Sequence, residues 1–188
     1  GRQYDFAHWF PIVAVHDTAG WAVRPLLPQG AVYGEFTDFD VTLDLAADQV
    51  IGATGVPVEG DPGWAARAAP GYADSVDYRR EVYGPVPPVE ALGLLEAPAP
   101  DRKRVRWLAR DVHNFAWSTA PDFIFEGGSW GDVAIRVLYK PGDDDWAGGQ
   151  ALGRTRIALA WLDSIFGPFA WPQITNLHRI EPGGTEFP

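Results

Sequence analysis

The sequence predicts a mainly β chain that turns, in its last third, to a strand, a helix and a further strand. Three observations carry that expectation. Phe39, Val41, Leu43 and Leu45 alternate with polar residues, and the alternation returns at Val133, Ile135, Val137 and Tyr139, the period-two mark of strands. Eight of the 17 prolines fall between Pro57 and Pro100, which rules out a central sheet there because proline lacks the ladder donor. Ile157, Trp161 and Ile165, with Ala158 and Leu162, repeat every four residues as one stripe of a helix.

Taken in order, residues 9–15 and 49–54 read as short strands on either side of the Phe39–Leu45 strand, closed by turn formers such as Asp17-Thr18-Ala19-Gly20 and Gly55. Residues 59–102 read as a Pro/Gly-rich surface excursion with one short helix near Tyr72 to Tyr83. Strands resume at 104–110, 114–118 and 123–126, and Gly127-Gly128-Ser129 is the expected domain joint. That gives a first domain over residues 1–127 and a second over 128–188. Within the second, Asp143-Asp144-Asp145 supplies an expected N-cap and first-turn charge to a helix running from Trp146 to Phe166, ended by Gly167-Pro168. Residues 172–180 read as the closing strand.

Composition narrows the function. The 188 residues include no Cys, so disulfides, Cys-ligated zinc, iron–sulfur clusters and thiol nucleophiles are excluded. A net charge of −10 argues against nucleic acid and anionic membranes as partners. No window reaches the roughly 20 apolar residues of a membrane span. There is no Met, and Gly1-Arg2-Gln3-Tyr4-Asp5 is unlike a signal peptide, so a processed or excised piece is expected.

Individual motifs are sparse. His8, His16, His113 and His178 are scattered, with no pair at the i, i+4 spacing of a helical zinc site. Counting from Asp143 finds Gly148 at position six of a calcium loop but Arg154 at position twelve, where a Glu is needed, so a solvated helix cap is the better reading. Asp38 with Asp40, or Glu35 with Asp38, could pair as carboxylates but read better as outward strand residues. None of the four serines lies in a nucleophile elbow, and no phosphate loop is present. Nine tryptophans leave a carbohydrate-binding module open, although Trp107, Trp146 and Trp161 fall on faces that look like core.

The last element carries the strongest signal. Pro168-Phe169-Ala170-Trp171-Pro172-Gln173-Ile174, followed by Gly183-Gly184-Thr185-Glu186-Phe187-Pro188, resembles the F-G-P-Y-P-Y-P-Q and G-G-M-E-Y-P stretches of the M1 family of gluzincin zinc aminopeptidases. Ala7-His8-Trp9-Phe10-Pro11, Tyr33-Gly34-Glu35-Phe36, Val50 to Gly55 and Asp111 to Trp117 agree in order with the bacterial branch of that family. The resemblance implies a saddle-like β-sandwich N-terminal domain followed by the strand-helix-strand start of a thermolysin-like catalytic domain. It implies that Gly183, Gly184, Thr185 and Glu186 form the substrate-binding element. There the glycines admit a peptide backbone and Glu186 holds the free α-amino group through charge-assisted hydrogen bonds.

Thr185 stands where the family usually has Met, which alters the wall beside the substrate. A further contact to the amine is implied from the stretch Gln3 to His8, to which no single residue is assigned. H-E-x-x-H is not present, so the resemblance implies no catalytic and no metal residue in this chain, with zinc held by a remaining catalytic domain. The implied setting is a bacterial, secreted or cell-envelope peptidase. A noncatalytic β-sandwich interaction domain remains the rival, and a truncated catalytic domain is expected to self-associate through the helix face of Trp161 and Ile165.

Overall fold

In the computed structural model, residues 2–23, 34–72, 86–88, 91, 93 and 98–180 are described. The expected helix near Tyr72 to Tyr83 lies almost wholly outside them. The described chain is mainly β. Its elements are β1 (Tyr4–Phe6), β2 (His16–Asp17), β3 (Gly20–Trp21), β4 (Thr37–Ala46), β5 (Val50–Ala53), β6 (Val56–Glu59), α1 (Trp64–Arg67), β7 (Arg102–Val112), β8 (Trp117–Ala120), β9 (Ile124–Trp130), β10 (Val133–Tyr139), α2 (Gln150–Phe166) and β11 (Gln173–Leu177).

Two antiparallel three-stranded sheets, ordered β4-β7-β6 and β1-β8-β5, share one core. Leu43, Val105 and Trp107 of the first and Val50, Ile51 and Ala120 of the second belong to one buried cluster. The alternation expected in β7 is realised: Val105 and Trp107 are fully buried and Ala109 nearly so. On the opposite face Arg106, 4% exposed, donates through Nε and Nη2 to both oxygens of Asp40 at 2.8 and 2.7 Å and through Nη1 to the Pro87 carbonyl. A planar guanidinium meeting a carboxylate in this two-point fashion fixes the β4–β7 register as well as the charge. It also ties Pro87, within the proline-rich excursion, to the sheet.

Several expected boundaries shift for physical reasons. Residues 9–15 form no strand: His8 has φ +52°, Pro11 lacks a donor, and the Trp9 Nε1–H is bonded to the Phe115 carbonyl at 3.0 Å instead. The strand expected at 114–118 begins at Trp117, because the Asn114 Oδ1 accepts its neighbour's N–H, Phe115, at 2.8 Å. Val56–Glu59 is a strand despite Pro57, and it sits at an edge of its sheet, where proline is tolerated.

The third sheet runs β11-β10-β9, with β9–β10 antiparallel and β10–β11 parallel across α2, so a strand-helix-strand unit closes the described chain. All seven residues of β10 are buried. Its odd-numbered residues join Leu152 and Leu159 of α2 in a second cluster, while Leu138 joins the sandwich core. Gly127-Gly128-Ser129, expected as a joint, lies inside β9 and pairs with β10. Gly128 is there for packing: a Cβ would sit 2.8 Å from a methyl of Leu152.

Two expectations about α2 need correction. Asp143-Asp144-Asp145 does not cap it. The helix begins at Gln150, after Gly148 and Gly149 with φ +62° and +80°, and no acidic residue lies in its first turn. The negative charge comes from Glu126 of β9, fully buried, whose carboxylate accepts from Gly148 N at 2.8 Å, Gly149 N at 2.9 Å and the Tyr139 hydroxyl at 2.9 Å. Second, the Ile157–Trp161–Ile165 stripe does not face the sheet. The buried face is Leu152, Thr155 and Leu159, leaving Ile157 71% and Trp161 66% exposed. Trp107 is core as expected, Trp146 packs beside the second cluster, and Trp161 is not core.

Three donors converge on Glu126, each bond contributing about 1.5–3 kcal/mol against a burial penalty of several kcal/mol. Glu126→Gln keeps the volume but turns an amide N–H₂ toward one of those donors. We expect a loss of about 1–3 kcal/mol in urea unfolding, with the earliest loss of hydrogen-exchange protection in the first turn of α2. A variant as stable as the parent would contradict the assignment.

Candidate functional site

The residues nominated from sequence, Gly183, Gly184, Thr185 and Glu186, lie outside the described residues. The surroundings they grow from are described. β11 ends at Leu177, and His178, Arg179 and Ile180 continue toward them, with His178 N still bonded to the Leu138 carbonyl at 2.9 Å. β11 is also one wall of a cleft of about 570 Å³ whose other walls come from β1, β5, β7 and β8 and from the segment of Phe169 and Trp171 before β11. Five aromatic rings line it, Phe6 and Trp117 on the sandwich side and Trp146, Phe169 and Trp171 on the other. Phe6 and Trp117 stack at 4.2 Å between centroids.

The polar end of this cleft is organised by Asp5. The Asp5 carboxylate accepts from the Ser118 hydroxyl at 2.5 Å, from Gln3 Nε2 at 3.0 Å and from Ile180 N at 2.9 Å. Gln3 Nε2 also donates to the His178 carbonyl at 2.7 Å. β1 is placed for this by its antiparallel pairing with β8, which sets Asp5 opposite Ser118. Sequence reasoning missed Asp5 because its partner at Ile180 is 175 positions away. The available signal was an acid between Tyr4 and Phe6, in a position where alternation points it inward.

Beside the cleft the imidazole of His178 stacks on Trp146, 5.6 Å between centroids and 14° between planes, and its Nδ1 lies 2.9 Å from Asp143 Oδ2. The contact is an ion pair when the imidazole is protonated. Asp143 is thus occupied with His178, while its carbonyl accepts from Trp146 N and Ala147 N in the turns before α2.

The other candidates are structural. Asp38 accepts from Asp111 N at 3.1 Å, and Asp40 is held by Arg106, so the imagined carboxylate pair is engaged in sheet contacts. His8 meets Asn114 at 3.1 Å, His16 lies edge-on to Trp21, and His113 bonds the Gly34 carbonyl. Among the described residues no group of three or more His, Cys, Asp or Glu side chains is placed to hold a metal ion. Trp9, Trp21, Trp130 and Trp161 are exposed but stand on four separate segments. No helix among the described residues is long and apolar enough to cross a membrane. No protein-family model and no curated protein matches the chain.

Burial pushes the Asp5 carboxyl up, but the bonds from Ile180 N, Ser118 and Gln3 and the charge of Arg179 outweigh it and hold the group below the usual aspartate range. A carboxyl depressed in the folded state stabilises fully above its unfolded value of about 3.9, and that stabilisation fades as pH falls through the lower folded value. Asp5→Asn therefore flattens the acid side of the stability curve below about pH 5 in a urea series run at several pH values. Parallel curves for parent and variant would remove Asp5 from the account.

Proposed function

We propose that this chain is the front part of a zinc-dependent aminopeptidase-like metallopeptidase, contributing the anchor for a peptide's free N-terminus but not the zinc site. The single observation that carries the reading is that β11 leads in sequence into Gly183-Gly184-Thr185-Glu186 and is itself a wall of the cleft. Supporting it are the order of the motifs along the chain and the strand-helix-strand unit packed on a β-sandwich.

The chemistry divides accordingly. Glu186 offers a carboxylate to the substrate's α-ammonium, and the two glycines before it leave room for a backbone to pass. In the complete protein of this proposal, zinc held by residues outside this chain would supply the activated water. The remaining catalytic domain is then the natural cover for Ile157, Trp161, Ile165 and Phe166, which stand exposed on α2.

The test is kinetic and uses the complete protein. A charge-assisted hydrogen bond of about 1.5–3 kcal/mol predicts that Glu186→Gln lowers kcat/KM for free-amino peptides about 10- to 100-fold, with little change for N-acetylated ones. Equal losses on both substrates would show that Glu186 does not read the amine.

A further inference from the structure

We infer that His178 and Asp143 form a pH-dependent latch, which holds the loop between β10 and α2, and with it the Trp146 wall of the cleft, against the end of β11. This goes beyond the amine-anchor reading and does not depend on it. His178 Nδ1 lies 2.9 Å from Asp143 Oδ2, and the same imidazole lies flat on Trp146, 5.6 Å between centroids and 14° between planes. Nδ1 is buried and makes no hydrogen bond of good geometry, so what joins it to the carboxylate is charge. A protonated ring meets Asp143 as an ion pair and Trp146 as a cation over an aromatic face. The neutral ring keeps the stacking and loses both charge interactions.

The loop is built so that this contact matters. Its two ends are fixed by other carboxylates. Asp122 holds Lys140 at 2.5 Å where the loop leaves β10, and Glu126 takes Gly148 N and Gly149 N where it approaches α2. Between those points the turns run through the Asp143 carbonyl, which accepts from Trp146 N at 3.1 Å and Ala147 N at 3.0 Å, while Arg154 of α2 donates to the Asp145 carbonyl at 2.9 Å. His178 ties this middle part to β11. Its own backbone is fixed, with N bonded to the Leu138 carbonyl at 2.9 Å and its carbonyl held by Gln3 Nε2 at 2.7 Å. A change of charge on the ring therefore acts on the loop rather than on β11. Trp146 also packs beside the second cluster, so release loosens the loop without unfolding it.

The charged groups around the imidazole come from every neighbouring element. Lys140, Asp144 and Asp145 line the same recess as His178 and Asp143, and the Lys140 ammonium is paired with Asp122. Tyr139 of β10 lies near enough to Asp143 for that charge to help keep its hydroxyl protonated. The charge of Arg179 acts on Asp5, which bonds Ile180 N. Within this set histidine is the side-chain type that changes charge between roughly pH 5 and 8. Acid closes the latch, and pH rising through that range releases it.

The experiment is ¹H–¹⁵N NMR of the 188-residue chain from about pH 5 to about pH 8, with amide exchange corrected for its intrinsic pH dependence, on the parent, His178→Gln and Asp143→Asn. In the parent we expect protection of the Trp146 and Ala147 amides to fall about 2- to 5-fold as pH rises, the range of a partly exposed ion pair. The Trp146 indole signal moves with the same midpoint as the His178 ring. Gly148 and Gly149, held by Glu126, keep their protection throughout.

His178→Gln removes the pH response and leaves the loop at its high-pH protection. In Asp143→Asn the ring still titrates but the Trp146 and Ala147 amides no longer follow it, a separation that general loosening would not produce. Both substitutions keep the side-chain size, and should one unfold the chain the other decides. A flat parent profile, or a profile in either variant as steep as the parent's, overturns the proposal.

Discussion

The strand-helix-strand unit depends on one buried carboxylate. Glu126 stands in the middle of β9, and its oxygens gather Gly148 N, Gly149 N and the Tyr139 hydroxyl. Gly149 is the N-cap residue of α2 and Gly148 precedes it, so Glu126 holds the turn that leads into the helix, which has no side-chain cap of its own. Burial, and then the bond and charge of Glu126, keep the Tyr139 hydroxyl protonated well above its usual range. Charge, helix start and central strand are therefore locked in one place. From that point α2 returns the chain to β11, which pairs parallel with β10 along five residues.

Close approach then joins this unit to the sandwich. Gly52 of β5 has no room for a side chain, since the methyls of Leu177 and Leu138 occupy that space. Leu138 belongs to the sandwich core while its neighbours Val137 and Tyr139 belong to the cluster under α2. β10 thus serves both cores, and the two packing units share a strand rather than a linker. The same arrangement leaves the cleft between β11 and β1, with aromatic walls and one polar end. Among the described residues helix α2 is buried through Leu152, Thr155 and Leu159, and Asn176 of β11 donates to the Thr155 hydroxyl at 3.1 Å.

What the sequence made legible was local. The alternation in β4, β7 and β10 predicted those strands because each side chain's face is set by its own neighbours. The strand-helix-strand order was legible too, since Lys140-Pro141-Gly142 and Gly167-Pro168 punctuate it. The failures were contacts set by distant partners. The cap of α2 was sought among the adjacent Asp143-Asp144-Asp145, but it comes from Glu126 across a turn in space. The apolar stripe of α2 was regular, yet the sheet took the face bearing Thr155, because Gly128 gives Leu152 its approach there. Asp5 was invisible for the same reason. Its role exists only when the two ends of the chain meet.

The proposed role of Glu186 is to hold the free α-amino group of a peptide. The most direct measurement follows the side-chain carboxyl ¹³C signal of Glu186 in the labelled chain while leucine amide, and separately N-acetyl-leucine amide, is added. The account predicts a saturable shift with leucine amide that is absent with the acetylated compound. The same response to both compounds, or to neither, would contradict it.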